Sequence, residues 1–89
     1  MKAVITVLGR DMVGILAKVS AVCAQTGVNI EDVTQSILQN VFAMIMIVDI
    51  SNCTVEATEL KAKFDTVGQE MGVQINLTRQ EVFDAMHKI

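Results

Sequence analysis

The sequence predicts an α+β fold, a ferredoxin-like βαββαβ sandwich with an additional C-terminal helix. Val and Ile supply 22 of the 89 residues, a composition that favours substantial sheet. Apolar residues recur at helical spacing in two separate segments, and β-branched runs flank each of them. Two βαβ units joined by a hairpin form this sandwich, because right-handed crossovers place both helices on one face of the sheet.

The first third of the chain predicts a strand, a turn and a helix. A β-branched run covers residues 4–8 and is closed by Gly9. Residues 9–14 predict a turn, in which Asp11 is placed to cap the following helix. Apolar residues then recur at helical spacing until Gly27, a residue typical of the position just after a helix end.

The middle of the chain predicts a β-hairpin. Residues 28–38 predict the second strand, whose apolar phase slips between Ile30 and Val33 and indicates a bulge or bend. Residues 39–40 predict a tight turn, and residues 41–50 predict the third strand.

The last part of the chain predicts a second long helix, a fourth strand and a short C-terminal helix. Apolar side chains at helical spacing predict the first of these helices over residues 54–71, and Gly72 ends it. From Val73 onward apolar and polar residues alternate, which predicts a strand with one solvated face. Residues 81–89 predict a short amphipathic helix. We expect residues 1–89 to form a single domain, because a chain of this length is too short to divide into two.

The predicted third strand is apolar on both of its faces. Even-numbered side chains from Phe42 to Ile50 point one way, and odd-numbered side chains from Val41 to Ile47 point the other. The two crossover helices can cover only one face, and the C-terminal helix can cover only part of the other. We therefore expect a homodimer, and both face-to-face packing and edge-to-edge extension of the sheet remain open.

The charge balance and the length of the apolar runs restrict the partners. Seven Lys and Arg residues stand against ten Asp and Glu residues, and the aromatic residues are three Phe. No nucleic-acid partner is expected, because such a partner requires a basic surface and usually stacking aromatics. The longest apolar run, residues 41–48, is too short to span a bilayer, and no signal-peptide pattern precedes the first strand. We therefore expect a cytoplasmic protein with no membrane partner.

The sequence carries no pattern of catalytic or metal-binding residues. Cys23 and Cys53 have neither CxxC nor metal-ligand spacing, and both are expected to be reduced structural thiols. His87 stands alone near the end of the C-terminal helix, where a cation suits the helix dipole. No nucleophile–base pair or phosphate-binding loop is present in the sequence. We expect no enzymatic activity, no metal and no cofactor.

The turn after the first strand has the residue types of a carboxylate-binding loop. Gly9 and Gly14 remove side chains where the backbone turns, so that free N–H groups can face a ligand. A helix N-terminus favours a carboxylate, and Asp11 and Asn29, expected near the same end of the sheet, could meet an α-ammonium group. The alternative is that Asp11 only caps the helix and the glycines only shape the turn.

These residues resemble the ACT domain, the small-molecule-sensing module of amino-acid metabolism. The similarity lies in a first strand ending in Gly-x-Asp-x-x-Gly-Ile-Leu, followed by a helix and then Gly-Val-Asn-Ile. The matching residues are Gly9, Asp11, Gly14, Ile15, Leu16, Gly27, Asn29 and Ile30. The commonest form of the family has Pro before the second Gly, where this chain has Val13. The sequence is most similar to the stand-alone single-ACT proteins of bacteria and archaea, and to the ACT repeats of glycine-cleavage regulators and formyltetrahydrofolate deformylases.

The resemblance implies a regulatory module that binds a small molecule, with an amino acid as the expected ligand, and that acts as a homodimer on a regulated enzyme or regulator. The ligand site that it implies consists of Gly9, Arg10, Asp11, Gly14, Ile15, Asn29 and Ile30. Two alternatives remain open. One is an acylphosphatase-like hydrolase, which shares this fold class and would use an Arg in the first loop, as Arg10 is; the other is a structural interaction module without a ligand.

Overall fold

The chain folds into a four-stranded antiparallel sheet with two long helices on one face. The structure is a computed structural model and describes residues 1–10 and 14–86. Its elements are, in chain order, β1 (Lys2–Gly9), α1 (Ile15–Thr26), β2 (Asn29–Leu38), β3 (Val41–Asp49), α2 (Ala57–Met71), β4 (Gln74–Arg79) and α3 (Gln80–Met86). This architecture confirms the predicted α+β, ferredoxin-like βαββαβ sandwich with an additional C-terminal helix.

The order of strands across the sheet is β2-β3-β1-β4. The register of β1 against β3 runs from Lys2 opposite Asp49 to Gly9 opposite Phe42. We use these pairs to name the two ends of the sheet, the Lys2 end and the Gly9 end. β2 is antiparallel to β3 and therefore parallel to β1, so it begins at the Lys2 end, where Asn29 also pairs with Asp49.

The core lies between the two long helices and the face of the sheet that they cover. Met44 and Met46 of β3 are completely buried there, together with Val19 of α1 and with Leu60 and Phe64 of α2. Each such side chain stabilises the fold by about 1.5–3 kcal/mol relative to an exposed position. The helical periodicity of the sequence therefore identified the face of α2 that packs on the sheet.

Both long helices end as the sequence predicts. Gly27 has φ 75° and donates its N–H to the carbonyl oxygen of Cys23, and Gly72 has φ 69° and donates its N–H to the carbonyl oxygen of Gly68. A left-handed residue at this position is favourable only for glycine, because a Cβ would approach the backbone too closely. The two glycines therefore fix where each helix turns back toward the sheet.

Three elements begin later in the chain than predicted, and β2, which begins at Asn29 and not at residue 28, is the first of them. α2 begins at Ala57 because the backbone before it is tied to α1, where the N–H of Thr54 donates to the carbonyl oxygen of Thr26 at 2.8 Å. β4 begins one residue later than predicted because the N–H of Val73 donates to the carbonyl oxygen of Gly68 at 3.0 Å. A tertiary hydrogen bond therefore decides the start of α2. The starts of β2 and β4 are decided by local hydrogen bonds that close the preceding helix, since the N–H of Val28 likewise donates to the carbonyl oxygen of Cys23.

The hairpin and the C-terminal helix agree with the prediction in the described residues. The register of β2 against β3 shifts between Ile30 and Asp32, which confirms the predicted bulge. Gln39 turns the chain with φ 57°. α3 begins at Gln80, and residues 87–89 of the predicted helix, with His87 among them, lie outside the described residues.

The face of the sheet opposite the two long helices is only partly covered. α3 packs on β1 and β4, and Val4 of β1, which points to this face, is 1% exposed. Toward the Gly9 end the same face remains open, with Leu8 46%, Val41 47% and Ile45 37% exposed. The prediction that β3 is apolar on both faces is confirmed. We call this uncovered part the open patch and define it by Leu8, Val41 and Ile45.

We expect the substitution Gly68→Ala to destabilise the protein. Helix propensity alone would favour Ala by about 1 kcal/mol, but a Cβ at this position would lie 2.8 Å from the carbonyl oxygen of Val73, at the corner between α2 and β4. Overpacking of this kind costs about 1–3 kcal/mol, so urea denaturation should give a free energy of unfolding lower than that of the parent. Gln69→Ala, at the exposed neighbouring position of α2, is the control and should change it by less than about 0.5 kcal/mol. A Gly68→Ala protein as stable as its parent would contradict the close approach of α2 to β4.

Candidate functional site

The turn between β1 and α1 is shaped by a glycine in the left-handed conformation. Gly14 has φ 77° and occupies the N-cap position of α1, where its carbonyl oxygen accepts the N–H of Lys18 at 3.0 Å. Gly14, and not Asp11, occupies the N-cap position, since α1 begins at Ile15. Asp11 itself lies outside the described residues. Gly14 has no side chain, so it leaves the N–H groups of the first turn of α1 without a cap from the N-cap position.

The two glycines of the turn have different physical roles. A Cβ on Gly9 would overlap Cγ1 of Val73, so Gly9 allows β1 to pass the corner between α2 and β4. A Cβ on Gly14 would have Met71 Cε at 3.8 Å as its nearest neighbour, which is an ordinary contact. Gly14 is therefore required for its backbone conformation, and among the described residues no close contact excludes a side chain at this position.

Arg10 and the β2–β3 hairpin border a shallow cavity at the Gly9 end. This cavity has a volume of about 390 Å³, and Arg10 lines it together with Ile37, Gln39, Asn40 and Phe42. Arg10 and Ile37 are exposed, whereas Phe42 is buried and supplies an apolar floor. A guanidinium group above apolar and amide groups can bind a small carboxylate.

Ile15 can contribute to such a site only through its backbone. Its side chain is fully buried in the core beneath the first turn of α1. Its N–H belongs to the first turn of the helix, where backbone N–H groups have no partner within the helix.

Asn29 and Ile30 lie at the opposite end of the sheet from the glycine turn. Asn29 pairs with Asp49, and Asp49 pairs with Lys2 at the beginning of β1. The expectation that Asn29 lies near the glycine turn is therefore wrong. A right-handed crossover returns the chain to the beginning of the next parallel strand, and the eight residues of β1 separate the two ends by roughly 23 Å.

The two cysteines differ in their surroundings. Cys23 on α1 is 1% exposed, and burial raises the pKa of its thiol to about 11. Cys53 lies in the loop before α2, is half-buried and packs against the core, and both cysteines are free. The predicted core position of Cys23 is confirmed.

The carboxylates near the Lys2 end take part in local structure. Asp49 accepts hydrogen bonds from the hydroxyl and the N–H of Ser51, which lower the pKa of its carboxyl group. Lys2 donates a hydrogen bond to Glu31, which raises the pKa of the Lys2 ammonium group. In residues 1–10 and 14–86, no group of three or more His, Cys, Asp or Glu side chains is arranged to hold a metal ion. No helix in the described part of the chain is long and apolar enough to cross a membrane.

Comparison with known proteins assigns a family to this architecture. The ACT domain profile matches residues 2–78. A UPF0237 protein of the archaeon Methanocaldococcus jannaschii is 43% identical over 88 residues, which cover 99% of this chain and 98% of that protein. The solved structure of an ACT domain protein from Streptococcus pneumoniae is 39% identical, with a TM-score of 0.81 over 94% of each chain. The regulatory subunit of aspartate kinase from Thermus thermophilus is 26% identical, with a TM-score of 0.63 over 85% of this chain and 49% of that one.

We expect the two thiols to differ in reactivity toward a disulfide reagent such as Ellman's reagent. With a pKa of about 11, only about one Cys23 thiol in a thousand is ionised at pH 8, and its sulfur is shielded by the core. One thiol per chain, that of Cys53, should therefore react in the folded protein, and two should react in denaturant. Cys53→Ser should abolish the reaction of the folded protein, whereas Cys23→Ser should leave it unchanged. Two equally fast thiols in the native state would contradict the burial of Cys23.

Proposed function

This chain belongs to the ACT domain family, and we propose from that premise that it is a regulatory module which binds an amino acid and acts as a homodimer, without enzymatic activity. The observation that carries the proposal is the cavity at the Gly9 end, which Arg10 borders together with the β2–β3 hairpin. Gly14, the N-cap residue of α1, follows Arg10 by four residues and has no side chain to cap the helix. The proposal treats residues 1–89 as a single unit. It also includes a cytoplasmic location, which the two free cysteines support.

The ligand carboxylate is proposed to lie between Arg10 and the first turn of α1. Gly14 leaves backbone N–H groups of that turn without a side-chain cap, and the partial positive charge of a helix N-terminus favours an anion there. Arg10 adds a full positive charge from the side of the hairpin. Gly9 and Ile15 shape the ends of the turn, and Asp11 is proposed to receive the α-ammonium group.

Asn29 and Ile30 can join this site only across an interface between two copies of the chain. They lie roughly 23 Å from the turn of their own chain, which is farther than any side chain reaches. Asn29 pairs with Asp49 of β3, which follows Ile45 of the open patch by four residues on the same strand. Alternate residues of a strand point to one face, so Asn29 shares a face of the sheet with the open patch. A second copy packed on that face would therefore carry its own Asn29 into the interface.

The open patch supports the proposed homodimer. Uncharged groups surround the exposed apolar side chains of the patch. Two of these groups, Thr6 and Asn76, border a groove of about 360 Å³ beside α3. Interfaces between subunits are depleted of charged residues at their centres, as the open patch is, whereas Lys2 and Asp49 lie at the opposite end of this face. We propose that two copies pack face to face through this patch, with α3 at the border, and that the assembly acts on a regulated enzyme or regulator.

We expect thermal-shift measurements with the twenty amino acids to identify at least one ligand. A ligand at 100 times its dissociation constant adds about 2.7 kcal/mol to the stability of the folded state. Arg10→Ala should weaken binding tenfold to a hundredfold, because a charge-assisted hydrogen bond contributes about 1.5–3 kcal/mol. Lys18→Ala, at an exposed position on α1, is the matched control and should leave the affinity unchanged.

Two results would contradict the proposed ligand site. The absence of any shift with all twenty amino acids would count against an amino-acid sensor. Hydrolysis of an acyl phosphate by the parent protein, abolished by Arg10→Ala, would support the acylphosphatase-like alternative instead.

A glycine control separates backbone strain from ligand contact. Gly14→Ala and Gly72→Ala both place a Cβ at positive φ without a steric clash, and only Gly14→Ala should lose ligand.

We expect light scattering at micromolar concentration to give about twice the chain mass of 9.7 kDa. Ile45→Glu should dissociate the dimer, because it places a charge in the centre of the open patch. Leu16→Glu is the matched control, since Leu16 is 40% exposed on α1 and Ile45 is 37% exposed on the sheet. A dimer that survives Ile45→Glu would place the interface at the edge of the sheet, and a monodisperse parent monomer would contradict the proposed assembly.

A further inference from the structure

A second cleft lies at the Lys2 end, on the side of the sheet that carries the long helices. It has a volume of about 210 Å³ and lies between the first turn of α2 and the ends of β1 and β4. We call it the Lys61 cleft. It is separated from the proposed amino-acid site by the whole length of β1, so the two sites share no residue.

The cleft exists because two small residues face each other across it. Ala3 is the residue of β1 beneath the cleft, and Ala57 is the first residue of α2 above it. Ile50 and Leu77 complete an apolar floor, and both are half-buried against the core. An apolar cavity of about 150 Å³ is sufficient to bind benzene, so a cleft of this size can hold a compact apolar group of several carbon atoms.

The border of the cleft is positively charged in a chain that is negatively charged overall. Lys61 of α2 and Arg79 of β4 both line it, and none of its lining residues is an Asp or Glu. Lys61 forms no ion pair within the described residues. Arg79 pairs only with Glu81 in that part of the chain, at 3.4 Å, and the two side chains are 63% and 73% exposed, so solvent screens this pair and a ligand can compete for the guanidinium group.

We propose that the Lys61 cleft binds a small monocarboxylate with a compact apolar body and no ammonium group. The carboxylate would lie between Lys61 and Arg79, with its hydrocarbon part on the floor formed by Ala3, Ile50 and Leu77. An amino acid fits less well, because its ammonium group would lie beside Lys61, Arg79 and Met1, which also lines the cleft and carries the N-terminal ammonium group. The carboxylates near the border are already paired with two of these cations, Asp49 with the N-terminus and Glu81 with Arg79. The site extends the proposed regulatory function to a second class of ligand, a simple or 2-oxo carboxylate, and does not depend on the amino-acid site.

The test uses 3-methylbutanoate as the probe and two-dimensional amide NMR of the full chain as the readout. Titration should shift the amide signals of Ala57, Thr58 and Lys61, with a dissociation constant in the millimolar range that is usual for a ligand of about seven heavy atoms. Valine is 3-methylbutanoate with an ammonium group at C2, and 3-methylbutan-1-ol has a hydroxymethyl group in place of the carboxylate. Both should bind at least tenfold more weakly.

Four variants, two of which are controls, locate the probe. Lys61→Met keeps the length of the side chain and removes its charge, and it should weaken binding about tenfold, whereas Lys63→Met, on the same helix but outside the cleft, should not. Ala57→Leu should abolish binding by filling the cleft, and the fold should tolerate it because Ala57 is exposed. Arg10→Ala should have no effect, so the loss of the amino-acid site and the loss of this one are distinguishable.

Several outcomes would overturn the proposal. Binding of the alcohol as tightly as the carboxylate would show that charge has no part in recognition. Full affinity in both Lys61→Met and Ala57→Leu, or signal shifts confined to the Gly9 end, would place the carboxylate elsewhere. If no amide signal shifts at a 3-methylbutanoate concentration 50 times the expected dissociation constant, the cleft binds no such ligand.

Discussion

The central position of β1 is the constraint on which the rest of the structure depends. β1 pairs with β3 on one side and with β4 on the other, and residues from Ala3 to Leu8 have partners in both neighbours. Alternate side chains of this strand enter the core, and the core residues Ile5 and Val7 are completely buried. Because the middle of β1 is fully committed to pairing and packing, the strand can present functional groups only at its two ends. The glycine turn lies at one end and the Lys61 cleft at the other.

A corner of close backbone contacts holds the helices in place over this strand. Gly68 brings α2 against the carbonyl oxygen of Val73, and Gly9 lets the end of β1 pass the side chain of the same valine. The N–H of Val73 is in turn bonded to the carbonyl oxygen of Gly68. Both glycines therefore serve packing, whereas Gly14 has no close contact among the described residues and is required for its positive φ.

The uncovered face of the sheet links the small size of the chain to its proposed assembly. A domain of 89 residues buries a smaller fraction of its surface than a larger one, and three large apolar side chains of the open patch remain in solvent. α3 covers Val4 but extends over only seven residues, about 10 Å, which is shorter than β1. The remaining patch is a contiguous apolar area of the kind that marks protein–protein contact. A regulatory module that acts on other proteins through an assembly needs such a surface, whereas a monomeric hydrolase does not.

The sequence by itself determined the fold class, the order of the elements, both helix ends at Gly27 and Gly72, the bulge near Ile30 and the two apolar faces of β3. These features depend on local periodicity and on glycines at positive φ, which are visible in a linear sequence. The tertiary structure alone decided which ends of the strands meet. It separated Asn29 from the glycine turn, because the crossover returns the chain to the beginning of β2, and it moved the cap of α1 from Asp11 to Gly14. It also brought Ala3 of β1, Ala57 and Lys61 of α2, and Arg79 of β4 together around one cleft, although these three elements are separated in the chain and share no motif. Contacts of this kind follow from strand register and helix packing, so no local pattern of residues predicts them.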